Sequence, residues 1–278
     1  MSLVEAGGRD EQLGGAVSKI AVTGKGGVGK TTVTSLLAHT YAQQGRKVIV
    51  IDADPSPNLA WALGFPQDLV AQITPIAEMD ELIEERTGAK PGGVGGWFKM
   101  NPRVEDIPDR FSAEYRGIRL LQLGTVKKGG GGCICPESVL LKTLVAHLLL
   151  DRSAEEVIMD MEAGVEHLGR ATAQAVDAFL IVVEPGRRSL QTAELIQRLA
   201  QDIGIPRLFL VGNSVRDESD RQFIREHGPD LPVLGFLPYS PLAIEADMKG
   251  LAVFEIASEL VQETQLIAAE LDRLVSSA

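Results

Sequence analysis

Cysteine is scarce in this sequence. Only two of the 278 residues are cysteines, Cys133 and Cys135, and a single residue separates them. A disulfide between such close neighbours would close a very small, strained ring. The sparse cysteine content therefore argues against a fold held together by disulfides. It leaves metal binding and redox chemistry as the functions to consider for this pair.

Long apolar runs and an excess of basic residues are also missing. The longest apolar runs, at 48–51 and 179–183, have the length of strands, far short of the roughly 18–20 residues that span a membrane. Lysine and arginine number 27 against 38 aspartates and glutamates, a formal net charge of −11. Because nucleic-acid backbones are bound by basic surfaces, we expect neither nucleic acid nor a membrane as a partner.

The first 17 residues include Glu5, Asp10 and Glu11 and have no apolar core. A secretory signal requires such a core, so we expect a flexible leader over 1–17 and a cytoplasmic protein. In a reducing compartment, a pair of cysteines is more typical of metal or redox chemistry than of a structural crosslink.

Strand-like apolar runs alternate with helical patterns along the rest of the chain. Continuous apolar strands separated by helices are typical of a parallel sheet that is covered on both faces. We therefore predict an α/β fold with a doubly wound, mostly parallel sheet of about seven or eight strands. One domain over 18–278 would contain an insertion at 64–117 and a glycine-rich cysteine loop at 127–137. The predicted strands are 19–23, 47–52, 118–123, 156–161, 178–184, 207–213 and 233–238.

A phosphate-binding loop follows the first strand. The segment GKGGVGKTT at 24–32 matches the pattern G-x-x-x-x-G-K-[ST]. Its glycines let backbone N–H groups surround a phosphate, and the following helix directs its positive dipole end at the same anion. Lys30 is predicted to contact the β- and γ-phosphates and Thr31 to bind Mg²⁺. The predicted nucleotide-binding residues of this loop are Gly26, Gly27, Val28, Gly29, Lys30, Thr31 and Thr32.

A second lysine, Lys25, begins the same loop. The pattern K-G-G-x-G-K-T resembles the deviant phosphate loop of the MinD, ParA and nitrogenase iron protein class of ATPases. The resemblance implies that ATP and ADP are the ligands and that Lys25 reaches the nucleotide of a partner chain in a homodimer. It also implies that Asp54, in DADP, positions the attacking water, and that Asp160, in MDMEAG, holds Mg²⁺ through water.

Three further residues match this class at the ends of later strands. Gly164 is implied to donate its N–H to the γ-phosphate. Asn213 and Pro238 are implied to line the adenine pocket. All these positions follow predicted strands, and open α/β sheets bind ligands at the carboxyl ends of their strands.

The cysteine pair supplies two thiolates, whereas a tetrahedral thiolate site for zinc or a similar ion needs four ligands. A two-fold axis through the homodimer would duplicate Cys133 and Cys135 and complete an S₄ site. Unligated cysteines and a redox pair remain alternatives. His167 follows the MDMEAG segment and could relay the nucleotide state or act as an extra metal ligand.

The residues around the cysteines resemble one branch of this class of ATPases. The segments KKGGGGCICPE at 127–137 and ITPIAEMDELIEERTG at 73–88 resemble the nickel-insertion accessory ATPases of carbon monoxide dehydrogenase maturation. This resemblance implies Ni²⁺ or Zn²⁺ as the bound ion and the carbon monoxide dehydrogenase apoenzyme as a partner. Thiolates accept both ions. The alternatives are an iron–sulfur electron-transfer ATPase of the nitrogenase iron protein type and a partitioning or positioning ATPase.

Overall fold

A single eight-stranded sheet organises the molecule. The computed structural model describes residues 18–92, 97–125, 135–165 and 168–277. All seven predicted strands are present, with bounds that differ from the prediction by one or two residues. An additional three-residue strand precedes the predicted third one. The strands are β1 (Lys19–Gly24), β2 (Val48–Asp52), β3 (Ala113–Tyr115), β4 (Ile118–Gln122), β5 (Glu156–Asp160), β6 (Ala178–Val183), β7 (Leu208–Val215) and β8 (Val233–Pro238).

The order of the strands is β3-β4-β2-β5-β1-β6-β7-β8. Every neighbouring pair is parallel except β3 and β4, which form an antiparallel hairpin at the edge. Arg116 and Gly117 join this hairpin with φ angles of 53° and 77°, as expected of a tight two-residue turn. The predicted fold class is therefore confirmed, and the antiparallel edge strand is an addition to it.

Helices connect the strands. Within the described residues they are α1 (Lys30–Gln43), α2 (Leu59–Ala62), α3 (Gln67–Val70), α4 (Asp80–Thr87), α5 (Ile107–Phe111), α6 (Pro136–Leu150), α7 (Arg170–Ala173), α8 (Arg187–Ile203), α9 (Glu218–His227), α10 (Pro241–Lys249), α11 (Val253–Ile256) and α12 (Ser258–Ser276), with a 3₁₀ turn at Ile76–Glu78. None of them is long and apolar enough to cross a membrane.

The pattern predicts one C-terminal helix over 254–275, but the structure divides it. At Ala257 the backbone takes φ −108° and ψ 69°, which are not helical values. On one side of this break, Phe254 stacks on His39 of α1, with ring centroids 4.0 Å apart. On the other side, α12 contributes buried side chains such as Leu260 to the same cluster as α1.

Two apolar clusters lie on opposite faces of the sheet. Ile49 and Ile51 of β2 belong to one cluster, with α4, α6, α8 and α9. Val48 and Val50 belong to the other, with α1, α11 and α12. Because side chains alternate between the faces of a strand, both faces of β2 are buried. This burial explains why the central strands read as continuous apolar runs.

Part of the predicted insertion at 64–117 packs into the first cluster. Ile76, Ile83 and Ile107 are fully buried there. The N–H of Ala77 donates to the carbonyl oxygen of Leu123 at 2.9 Å. The part of this segment around Ala77 therefore lies against the sheet beyond the end of β4.

Candidate nucleotide-binding site

The loop between β1 and α1 has the conformation of a phosphate cradle. Gly27 and Gly29 have φ angles of 82° and 89°, a region that disfavours residues with a Cβ. A Cβ at Gly29 would also clash with the side-chain amide of Asn213. The loop closes on itself through a 3.3 Å hydrogen bond from the N–H of Val28 to the carbonyl oxygen of Lys25.

A cavity of about 840 Å³ opens above this loop, a size typical of small-molecule sites. The loop and the start of α1 form one wall. Residues that follow β2 and β5 form a second wall, and α10 with the segment after it forms a third. The lining residues are Gly26, Gly27, Gly29, Lys30, Thr31, Thr32, Ser35, Asp54, Asn58, Trp61, Ala62, Glu162, Ala243, Ala246, Asp247, Gly250, Leu251 and Val253.

Thr31, which lines this cavity, contacts Asp160, the last residue of β5. The Thr31 hydroxyl donates to Oδ2 of Asp160 at 2.7 Å. Oδ1 of Asp160 is buried and has no hydrogen-bond partner among the residues that the structure describes. Burial raises the pKa of the Asp160 carboxyl to about 7, although the Thr31 hydrogen bond and the charge of Lys30 oppose the shift. A buried carboxylate oxygen without a partner is costly unless a cation or donor reaches it.

This arrangement fits Mg²⁺. The ion is held in nucleotide sites by one or two carboxylates or hydroxyls together with phosphate oxygens and water. Among the described residues, no three histidine, cysteine, aspartate or glutamate side chains gather into a metal-binding group. Thr31 and the free oxygen of Asp160 would thus need the phosphates to complete the coordination.

Asp52 was not predicted, yet it organises the segment that carries Asp54. It ends β2 directly beside Asp160 of β5. Its Oδ1 accepts from the N–H of Asp54 at 3.3 Å, and its Oδ2 accepts from the N–H of Leu59 at 3.2 Å. Burial raises the pKa of Asp52 to about 6, and the charge of Asp54 adds to this shift. The doubled aspartate in IDADP was the signal that could have identified it.

Asp54 lies at the rim of the cavity and is partly buried. Its Oδ1 accepts from the backbone N–H of Ser56 at 2.8 Å. This bond fixes the carboxylate within its own turn. The structure thus brings Asp54 to the same cavity as Lys30 and Thr31.

Gly164 is engaged with the protein. Its N–H donates to the Thr23 hydroxyl at 3.2 Å. Its φ angle is 145°, a value that favours glycine. The predicted contact from this N–H to a phosphate therefore requires the Thr23 contact to be given up.

Asn213 and Pro238 lie outside the lining of the cavity. The Asn213 amide donates to the carbonyl oxygen of Val28 at 2.8 Å and so stabilises the phosphate loop. Trp61 and the α10 residues form the apolar end of the cavity instead. The adenine contacts of Asn213 and Pro238 stay predictions.

The predicted metal loop is described only at its end. Cys133 and His167 lie outside the described residues. Cys135 directly precedes α6, and its Sγ lies 3.1 Å from the Ser138 hydroxyl. Glu137 is buried beside it: Oε1 accepts from the N–H of Gly92 at 2.8 Å, and within the described part of the chain Oε2 has no partner.

Residues 19–253 match the family model of the CobQ/CobB/MinD/ParA nucleotide binding domain. The carbon monoxide dehydrogenase accessory protein CooC of Rhodospirillum rubrum is 44% identical over 257 residues, which cover 92% of this chain and 97% of that protein. An uncharacterized ATP-binding protein of Methanocaldococcus jannaschii is 47% identical over 235 residues, 84% of this chain and 89% of that protein.

Solved structures agree on the fold. The MinD cell division protein of Aquifex aeolicus superposes with a TM-score of 0.64 at 21% identity, covering 92% of this chain and 97% of that one. A ParA family ATPase from Chlorobium tepidum gives a TM-score of 0.64 at 16% identity, covering 91% of this chain and 98% of that one.

Proposed function

Because the chain belongs to the CobQ/CobB/MinD/ParA family of nucleotide-binding domains, we propose that it is a Mg²⁺-dependent ATPase that assists the maturation of carbon monoxide dehydrogenase. The observation that carries the proposed ATPase activity is that Lys30 and Thr31 line one cavity and that the Thr31 hydroxyl donates to Asp160. The relation to the accessory protein of R. rubrum supports the biological role.

Phosphate binding is the task of the loop at 24–32. The backbone N–H groups of Gly27 and Gly29 and the N-terminus of α1 would surround the phosphates. Lys30 is only 7% exposed, so its charge acts in a poorly solvated place where Coulombic attraction is strong. Val28 is buried and would contribute through its backbone.

Asp160 and Thr31 would hold Mg²⁺ against the phosphates. Bound there, the ion would neutralise the charge of the β- and γ-phosphates. The unpartnered Oδ1 of Asp160 supports this role, since a cation would satisfy it. Asp54 would orient the water that attacks the γ-phosphate, because it lines the same cavity as Lys30 and Thr31.

Lys25 would act on the nucleotide of a second chain. Its side chain is 37% exposed and pairs with Glu184 at 3.8 Å. A lysine held this loosely is free to exchange partners. The active species would then be a homodimer that forms around nucleotide.

Nickel would be the cargo of this dimer. Cys133 and Cys135 of both chains would supply four thiolates to one ion, Ni²⁺ or Zn²⁺, since thiolates accept both. Cys135 directly precedes α6, and the chain continues from α6 into β5, which ends at Asp160. One helix and one strand therefore connect the metal loop to the proposed Mg²⁺ ligand.

Two assays test this proposal together. Phosphate release from ATP should require Mg²⁺ and should be lost in Asp160→Ala, whereas Asp68→Ala, an exposed carboxylate on α3, should behave as the wild type. Nickel-free carbon monoxide dehydrogenase should gain activity when incubated with the protein, Ni²⁺ and MgATP. ATP hydrolysis without a gain in carbon monoxide dehydrogenase activity would indicate an ATPase that acts on another protein. Absence of hydrolysis would refute the ATPase activity itself.

A further inference from the structure

The Thr23 side chain forms a clamp on the segment that follows β5. Thr23 is fully buried in β1, directly before the phosphate loop. Its hydroxyl donates to the carbonyl oxygen of Glu162 at 2.8 Å and accepts from the N–H of Gly164 at 3.2 Å. One hydroxyl group thus bridges two backbone groups on either side of Ala163.

The clamp lies where the sheet ladder ends. In the parallel pairing of β1 with β5, Val22 lies opposite Asp160. The N–H of the next residue, Met161, donates to the carbonyl oxygen of Val22 at 2.9 Å. Beyond Met161 the chain leaves the sheet. The Thr23 side chain then provides the hydrogen bonds that backbone groups provide within the ladder.

We propose that Thr23 is a positioning residue that withholds the Gly164 N–H from the nucleotide until a terminal phosphate competes for it. The inference rests on the proposed function together with the predicted contact between the Gly164 N–H and the γ-phosphate. A backbone N–H has a single proton, so it serves either the Thr23 hydroxyl or the phosphate. The contact to phosphate forms only when the contact to Thr23 breaks.

This exchange affects ATP and ADP differently. ADP has no γ-phosphate and leaves the clamp closed, whereas ATP must open it. The clamp therefore lowers the preference of the protein for ATP over ADP. Because Glu162 lines the cavity, opening the clamp would also alter the cavity wall and signal that a triphosphate is bound.

The substitution Thr23→Val removes the hydroxyl and preserves the shape of the side chain. Without the Thr23 hydroxyl, the buried Gly164 N–H has no hydrogen bond to give up. Its hydrogen bond to a phosphate oxygen therefore contributes more to the free energy of binding. We expect the ratio of the ADP Kd to the Kd of the non-hydrolysable analogue AMP-PNP, both measured calorimetrically with Mg²⁺, to rise about two- to tenfold. Thr23→Ser keeps the hydroxyl and should restore the wild-type ratio.

A matched control is available in α1. Thr40 is 2% exposed, and its hydroxyl has no hydrogen-bond partner, so Thr40→Val removes a buried hydroxyl without touching the clamp. Its Kd ratio should equal that of the wild type. An unchanged or lowered ratio in Thr23→Val, with nucleotide binding intact, would overturn the clamp and leave the proposed ATPase standing. Wild-type protein that bound neither nucleotide would refute both.

A second measurement covers the case in which Thr23→Val does not fold. In wild-type protein labelled with ¹⁵N-glycine, the amide resonance assigned to Gly164 should shift with AMP-PNP and stay near its nucleotide-free position with ADP. Equal shifts with both nucleotides, or none with AMP-PNP, would contradict the exchange.

Discussion

Nζ of Lys25 lies 3.8 Å from Oε1 of Glu184, in a pair whose side chains are 37% and 39% exposed. Exposed ion pairs contribute little to stability. Lys25 can therefore leave Glu184 at small cost, as a lysine must if it is to reach the nucleotide of another chain. Lys30, five residues later, is buried at the start of α1. The two lysines of one loop thus differ in exposure, and we expect them to differ in role.

Lys30→Ala should weaken nucleotide binding by a chain on its own. A hydrogen bond to a charged group contributes about 1.5–3 kcal/mol, so the Kd of ADP should rise by about 10- to 100-fold. Lys25→Ala should bind ADP as the wild type does and should fail to form the ATP-dependent dimer. Equilibrium titration and light scattering separate the two effects. An equal loss of ADP affinity in both variants would contradict the assignment of Lys25 to a partner chain.

Asp54→Ala should retain ATP and hydrolyse it slowly. Its carboxylate is expected to orient water and not to bind the phosphates, and positioned groups of this kind contribute about a hundredfold or more to rate. The dimer should then persist with ATP and Mg²⁺ in size-exclusion chromatography. An ATP turnover rate equal to that of the wild type would show that Asp54 takes no part in hydrolysis. The exposed-site variant Asp68→Ala serves as the control.

The phosphate loop was predictable because consecutive residues determine it. The segment at 24–32 supplies the glycines, the lysine and the threonine hydroxyl together. The contacts of Asp52 and Thr23 were not predictable in the same way. They depend on strand register, which places Asp52 beside Asp160 and the Thr23 hydroxyl beside Gly164. A sequence pattern identifies a strand, but the relative shift of two strands is set by packing over the whole sheet.

Two of the elements that escaped prediction did so for different reasons. The strand at Ala113–Tyr115 has three residues, which are too few to show an alternation of apolar and polar side chains. The helix at Pro241–Lys249 buries only Ala246, so it has no apolar stripe to reveal it. Its exposed position lets it form a wall of the cavity, where Asp247 and Ala243 face the open space.

Asp52 should make the nucleotide-free protein less stable as pH rises. Burial raises the native pKa of Asp52 to about 6, above the value of about 3.9 expected in the unfolded chain. Between these values the native state holds a proton that the unfolded state has lost, so the free energy of unfolding falls with rising pH. The contribution is complete below about pH 4 and is lost above about pH 6.

Asp52→Asn removes this titration. Relative to the wild type, the variant should gain about 1 kcal/mol in free energy of unfolding between pH 5 and pH 7.5. Urea denaturation at the two pH values measures the change. A difference between the two proteins that does not vary with pH would show that Asp52 titrates alike in the native and unfolded states.

Cys135→Ser should abolish tight nickel binding. In the proposed site each chain supplies two of four thiolates, so the substitution replaces two sulfur ligands at once with poorer oxygen ligands. The wild type should bind one Ni²⁺ per two chains. Ser138→Ala, which removes only the hydroxyl beside Cys135, should keep that stoichiometry. One tight ion per chain in the wild type would exclude the shared site.

The central claim is that the nucleotide state governs metal binding, and a nickel titration of Asp54→Ala by calorimetry tests it most directly. The Ni²⁺ Kd should differ between protein with MgATP and protein without nucleotide. By thermodynamic linkage, Ni²⁺ must then change the ATP Kd by the same factor. Equal nickel affinities in the two states would mean that the metal site and the nucleotide site are independent, which would contradict nucleotide-gated nickel delivery even if both sites exist.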